Sequence, residues 1–142
     1  MSNAATVQGI YEAFWRGDVP AILDKLSDDV AWDAWPDETT AQRAGIPWLL
    51  ERHGRDEAGA FFQTLGALEF HRFEPYAIVA DGNRVIAQIA VDVEVRETGR
   101  RFTDDELHLW VFDDDGRVSE FRHYVDTGKH VEAARDAAST AA

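Results

Sequence analysis

Residues 84–97, RVIAQIAVDVEVRE, decide the fold. Val85, Ala87, Ile89, Val91, Val93 and Val95 occupy every second position, against Arg84, Ile86, Gln88, Ala90, Asp92, Glu94 and Arg96. A period of two sustained this long predicts a long strand with one face buried. Working outward, Asp81-Gly82-Asn83 is a hairpin turn, and residues 73–80 before it read as a strand interrupted at Pro75. Thr98-Gly99-Arg100 leads into a strand over 102–112, and Asp114-Asp115-Gly116 leads into a last one over 118–126. These segments predict an antiparallel meander.

Nearer the start the period changes. Val7, Ile10, Tyr11, Phe14 and Trp15 recur at helical spacing over residues 5–16, and Gly17 follows as a C-terminal cap. Residues before about 5 are assigned no role, since Ser2-Asn3-Ala4 has the composition of a tag remnant. Asp18 caps a second short helix with Pro20 in its first turn. Ser27-Asp28-Asp29 reads as a turn, Val30 to Trp35 as a strand ended by Pro36, and residues 36–47 as a polar loop long enough to be a lid. Trp48 to Leu50 starts a helical turn, and residues 55–68 carry a third helical stripe of Ala58, Phe61, Phe62, Leu65 and Leu68. Residues 128–138 form a short C-terminal helix or fray. The order predicts an α+β fold in a single domain, residues 1–142, with helices on one face of a curved antiparallel sheet.

Composition narrows the function. The 142 residues carry 14 Lys and Arg against 27 Asp and Glu, a net charge of −13, which argues against nucleic-acid and anionic-membrane partners. No cysteine is present, which excludes a disulfide framework, zinc-thiolate and iron-sulfur sites and a cysteine nucleophile. No signal-peptide or membrane-span pattern occurs, so the expectation is a soluble, cytoplasmic protein. Nucleotide-loop and serine-hydrolase motifs are missing, and the histidine spacing does not suit a metal, so no cofactor and no metal are expected.

Three stretches then stand out: IYEAFWRGDVPAILDKLSDDVAW over 10–32, GRDEAGAFF over 54–62 and HLWVFDDDGRVSEFRHYVDT over 108–127. In this order and spacing the chain resembles the NTF2-like superfamily, in particular its SnoaL-like, ketosteroid isomerase-like branch. The resemblance implies a cone-like α+β barrel with a pocket between the helices and the concave sheet. It also implies that Tyr11 and His108 sit where the steroid isomerases keep two neutral donors, in an apolar site, to a developing enolate oxygen. Their proton-abstracting aspartate falls on Ala34, with Asp33 one residue away on the opposite strand face. A bulge that turns Asp33 inward, or His123 as the base, would restore that function.

The residues themselves leave two readings open. Tyr11 lies on an apolar stripe and is either a core tyrosine or a donor. His108 alternates with Glu106, Trp110 and Phe112, and His123 with Phe121 and Val125; each histidine is either structural or an acid-base group. On this reading Tyr11, His108 and His123 are the candidate catalytic residues, with activity rising through the His123 titration. Trp15, Trp32, Trp35, Trp48, Phe61, Trp110 and Phe121 are candidate substrate-binding residues, since aromatic walls suit a small apolar ligand, although core packing uses the same residues. Asp92 reads as solvated, and Arg122 and Asp126 as structural groups near the mouth. Leu107, Leu109 and Val111 form a second apolar face suited to a homodimer. The function expected is cofactor-free proton transfer by an isomerase, cyclase or dehydratase on an apolar or aromatic metabolite; the alternative is a non-catalytic binding or scaffold protein.

Overall fold

A computed structural model describes residues 2–135. Helix α1, Asn3–Arg16, begins two residues earlier than its apolar stripe because the Ser2 side chain accepts the Ala5 N–H. It ends where Gly17 takes the left-handed conformation, at φ 71°, and returns its N–H to Ala13 and Phe14. Asp18 caps α2, Val19–Leu23, through the Ala21 N–H. Strand β1, Leu26–Trp32, absorbs the expected Ser27-Asp28-Asp29 turn. Those residues form an irregularity in its pairing with the last strand. The strand stops at Trp32 rather than Trp35 because Asp33 adopts a left-handed φ of 52°.

The polar loop contains the one-turn helix α3, Thr40–Arg43, held by a capping box between Thr39 and Gln42. A 3-10 turn over Pro47–Leu49 and the two-residue strand β2, Arg52–His53, lead to α4, Gly54–Thr64. Helix α4 is shorter than its stripe predicted, because Leu65–Ala67 tightens to a 3-10 turn and Leu68 opens a strand. That strand, β3, Leu68–Asp81, starts five residues before the expected position; its break at Pro75 is a register shift between Pro75 and Ala77. Then follow β4, Arg84–Val95, β5, Arg100–Phe112, β6, Val118–Tyr124, and α5, Thr127–Ala134. Residues 136–138 of the expected C-terminal helix lie outside the described residues.

The sheet order is β2-β1-β6-β5-β4-β3. All neighbours are antiparallel except β1 and β6, which run parallel, so the sheet is mixed and it does not close on itself. The even-numbered outward side of β4 pairs Ile86 with Leu109 and Gln88 with Leu107, while its buried set faces the helices. Strands β5 and β6 bring His108 opposite His123 and Trp110 opposite Phe121. In the parallel pair Trp32 lies beside Phe121. The concave side therefore gathers Trp32, Trp110, Phe121 and both histidines under α1, α4 and α5. On the outer face Leu107 is 38% exposed, but Leu109 and Val111 are nearly covered; Tyr76, Val79, Ile86 and Tyr124 carry the rest of its exposed apolar surface. Among the described residues no helix is long and apolar enough to cross a membrane.

Candidate active site

The concave sheet and the helices enclose a cavity of about 70 Å³, bounded by residues that include Tyr11, Trp32, Trp48, Phe61, Glu106, His108, Trp110, Phe121, His123 and His130. Helix α1 brings Tyr11 down onto β5, where its Oη lies 2.8 Å from His108 Nδ1 and accepts the Trp110 indole N–H at 3.0 Å. His108 Nε2 faces Glu106 Oε1 at 3.5 Å. The other carboxylate oxygen is 3.2 Å from His130 Nε2, and His130 Nδ1 accepts the Trp48 indole N–H at 3.0 Å. Five side chains are thus joined to the carboxylate of Glu106.

The hydrogens in this chain have one consistent arrangement. An indole N–H can only donate and a carboxylate can only accept. Trp48 therefore makes Nδ1 of His130 an acceptor, which puts that ring's hydrogen on Nε2, toward Glu106. On the other side Glu106 Oε1 lies 3.5 Å from His108 Nε2, outside hydrogen-bond geometry, but its negative charge favours the tautomer with hydrogen on Nε2, and in that tautomer Tyr11 donates its only hydrogen to His108 Nδ1. Tyr11 then meets the cavity with a free lone pair rather than a free hydroxyl hydrogen.

Burial pushes the Tyr11 hydroxyl pKa far above the usual phenol range; the Trp110 bond opposes this and Glu106 adds to it. His108 is held below the ordinary imidazole value by burial, which outweighs its Glu106 contact. For Glu106, burial raises the pKa, but bonds from His108 and His130 win and hold the carboxyl well below the usual range. His130 is lowered by burial and raised more by Asp104 and Glu106, a net upward shift. Its cation would nevertheless carry hydrogen on both nitrogens and expel the Trp48 N–H, so the geometry holds the neutral form.

The second histidine is built differently. The left-handed turn at Asp33 swings its carboxylate under β6, where it accepts the His123 backbone N–H and faces Nδ1, both at 2.8 Å. Asp33 is 1% exposed. Its backbone is fixed on both sides: the N–H donates to Phe121 O at 2.8 Å, and its carbonyl accepts the Gln42 side chain at 2.9 Å. The same Gln42 amide donates to Leu49 O at 3.1 Å. With Nδ1–H directed at Asp33, the neutral His123 ring has its lone pair on Nε2. Its ring lies 4.8 Å from that of His108 and 5.5 Å from Phe61, centre to centre.

Tyr11, His108 and His123 thus come together at one cavity with Trp32, Trp48, Phe61, Trp110 and Phe121. Trp15 and Trp35 do not join them. Trp15 is 58% exposed and donates to Phe73 O at the β3 edge. It follows the last buried turn of α1 rather than facing the sheet. Trp35 lies past the Asp33 turn, edge-on to Tyr124 and under the Arg122 guanidinium. It borders an outer groove that shares only Leu49, His123 and Val125 with the cavity. Arg122 also ties Ala34 O to Glu120, and Asp126 caps α5. Asp92 forms an exposed pair with Arg101, which lowers its pKa.

Sequence reading passed over Glu106, His130 and Gln42. The signal for Glu106 was an acidic residue sharing the inward face of β5 with His108 and Trp110. His130 carried no such signal because its partners are remote in sequence, and Gln42 none because it lies in a polar loop without a periodic pattern. Among the described residues, two groups have the composition of a cation site. Asp104, Glu106 and His130 offer atoms within 4.8 Å of one another, but the Trp48 bond commits His130 Nε2 to a hydrogen rather than a metal. Glu69, His71 and Glu94 form the other, a partly exposed ion-pair cluster on β3 and β4.

Comparisons with known proteins agree with this architecture. The family model for the SnoaL-like domain matches residues 7–121. An NTF2-like protein of unknown function from Burkholderia pseudomallei superposes with a TM-score of 0.79 at 31% identity, covering 96% of this chain and all of that one. A protein assigned as a SnoaL-like polyketide cyclase from Mesorhizobium loti gives 0.66 at 22% identity, over 87% and 99% of the two chains. TerC, crystallised with polyporic acid, gives 0.73 at 21% identity, over 92% and 96%. The search of curated proteins returns no match. With the order of elements, the cavity under α1 and the matching family model in hand, the chain belongs to the SnoaL-like family of NTF2-like proteins.

Proposed function

We propose that this protein is a cofactor-independent, cytoplasmic enzyme that moves a proton next to a carbonyl in a small apolar or aromatic metabolite, as an isomerase, cyclase or dehydratase does. The observation that carries this reading is the Asp33–His123 pair at the wall of an apolar cavity. Asp33 orients the imidazole and stabilises the cation formed when Nε2 takes a proton. Tyr11 offers an oxygen lone pair to a ligand hydroxyl, and His108 and Glu106 behind it can receive a proton along the chain. Burial of Asp33, Tyr11, His108 and Glu106 strengthens these interactions relative to water. The co-crystallisation of TerC with polyporic acid supports a small organic molecule as the type of occupant.

Deuterium exchange tests the chemistry before the natural substrate is known. Cyclic ketones incubated with the protein in D₂O should exchange their α-hydrogens faster than in buffer, and His123→Ala should abolish the excess. With a substrate identified from copurified material by mass spectrometry, His123→Ala and Tyr11→Phe should each lower kcat by about 10²-fold or more. Wild-type kcat in both variants would remove these residues from the mechanism.

A second reading, a ligand-binding or scaffold protein without catalysis, is favoured by the free volume of about 70 Å³, far below the roughly 300 Å³ of common ligand pockets. Titration with flat hydrophobic compounds separates the two. Quenching of tryptophan fluorescence supports an occupied cavity, and its absence supports the scaffold. In either reading we propose a homodimer through the outer sheet face, where Tyr76, Val79, Ile86, Leu107 and Tyr124 expose apolar surface.

A further inference from the structure

Four of the five tryptophans have a place for their indole N–H or lie on the outer side of the fold. Trp15 donates to Phe73 O, Trp48 to His130 and Trp110 to Tyr11, while Trp35 packs outside the cavity on Tyr124. Trp32 is different. It is 1% exposed, it borders the cavity, and its buried Nε1 has no acceptor among the described residues. Leaving such a donor unpaired destabilises the fold. The ring cannot turn to find a partner: it is stacked on Phe121 at 4.1 Å and wedged between Phe61 at 5.1 Å and Trp110 at 6.0 Å.

From this we infer that the Trp32 indole N–H is the cavity's hydrogen-bond donor to a ligand oxygen, and that the ligand is an uncharged ring compound bearing a carbonyl. The inference deepens the reading of the cavity as a ligand site and rests on it. Three observations define the class. Of the other polar groups along the wall, Tyr11 Oη and His123 Nε2 face it as acceptors once their hydrogens are assigned, and the Nε2 hydrogens of His108 and His130 are turned toward Glu106, so Trp32 supplies the donor that a carbonyl oxygen requires. Among the described residues lining the cavity there is no Lys or Arg, while Glu106 is buried beside it, which disfavours a carboxylate or phosphate. Trp32 and His123 also flank the same two rings. Phe121 lies 4.1 Å from Trp32 and 4.6 Å from His123, and Phe61 lies 5.1 and 5.5 Å from them. A ring seated there places its carbonyl oxygen at Trp32 and an acidic hydrogen a few bonds away at His123.

The test uses the whole protein and two probes of nearly equal shape, cyclohexanone and methylenecyclohexane. Indole N–H signals are followed by ¹H–¹⁵N correlation spectra, and the Trp32 signal is identified by its nuclear Overhauser contacts to Phe61 and Phe62, since Trp110 shares only Phe121 with it, so no variant is needed. Cyclohexanone should move the Trp32 N–H proton downfield and methylenecyclohexane should not, although both shift ring signals in the cavity wall. Trp32→Phe should weaken cyclohexanone binding by about 3- to 10-fold, the range of one hydrogen bond, and leave methylenecyclohexane unchanged. If both probes bind and the Trp32 N–H responds alike to each, the assignment of Trp32 is overturned while the ligand reading stands. If neither binds and the N–H contacts water only, both fall.

Discussion

Replacing Asp33 by Asn separates the charge on this residue from its backbone geometry. Asn tolerates the left-handed region at least as well as Asp, so the φ of 52° is retained, whereas Ala would add about 1–2 kcal/mol of backbone strain. In the native pair both carboxylate oxygens accept from His123, the backbone N–H and Nδ1, each at 2.8 Å. The backbone donor cannot change, so the Asn oxygen must stay with it. The amide NH₂ then faces Nδ1 and can only donate, which makes Nδ1 the acceptor and moves the ring hydrogen to Nε2. The base that faces the cavity becomes a donor. Imidazole ¹⁵N spectra should therefore show hydrogen on Nδ1 in the wild type and on Nε2 in Asp33→Asn. Replacing a charge-assisted bond by a neutral one should cost about 1–2 kcal/mol, a fall in Tm of about 3–6 °C for a domain of this size. Proton-transfer activity should drop by about 10²-fold or more, with ligand affinity little altered. A wild-type protein that already carries its hydrogen on Nε2, or a variant whose tautomer is unchanged, would refute the orienting role of Asp33.

Further expectations follow from the same contacts. Because Glu106 has its pKa lowered on folding, its contribution to stability is complete above the ordinary value near 4.5 and is lost as pH falls below it. Glu106→Gln should cost about 1.5–3 kcal/mol at pH 7, and the gap to wild type should narrow below pH 4.5 in urea unfolding; a gap constant down to pH 3 contradicts this. Gln42→Ala removes the amide that holds Asp33 O and Leu49 O, so hydrogen exchange should rise over residues 36–50 while β4 and β5 keep their protection. Ile86→Lys with Leu107→Glu should give a monomer in analytical ultracentrifugation at micromolar concentration, where the wild type sediments as a dimer.

Much of the architecture was legible because its causes are local. The alternation over 84–97 specifies a strand whatever surrounds it, and the stripe of Val7, Ile10, Tyr11 and Phe14 specifies a helix with an inward face. Those two periods also put Tyr11, His108 and His123 on the concave side. The same local logic failed at Asp33. Alternation placed its side chain opposite Ala34 on a strand running to Trp35, but one residue in the left-handed region ends the strand and turns the carboxylate to His123. Nothing near Asp33 in sequence encodes that sign of φ. It is held by the Gln42 amide from the following loop and by Phe121 O and the His123 donors, which the parallel pairing of β1 with β6 brings to it from the far end of the chain. The link from Glu106 to His130 has the same origin, since Trp48 and α5 meet β5 only after the fold closes over the cavity. Periodicity determines which way a side chain leaves its own element; which partner it then meets is decided by contacts between elements, and only the tertiary structure supplies those.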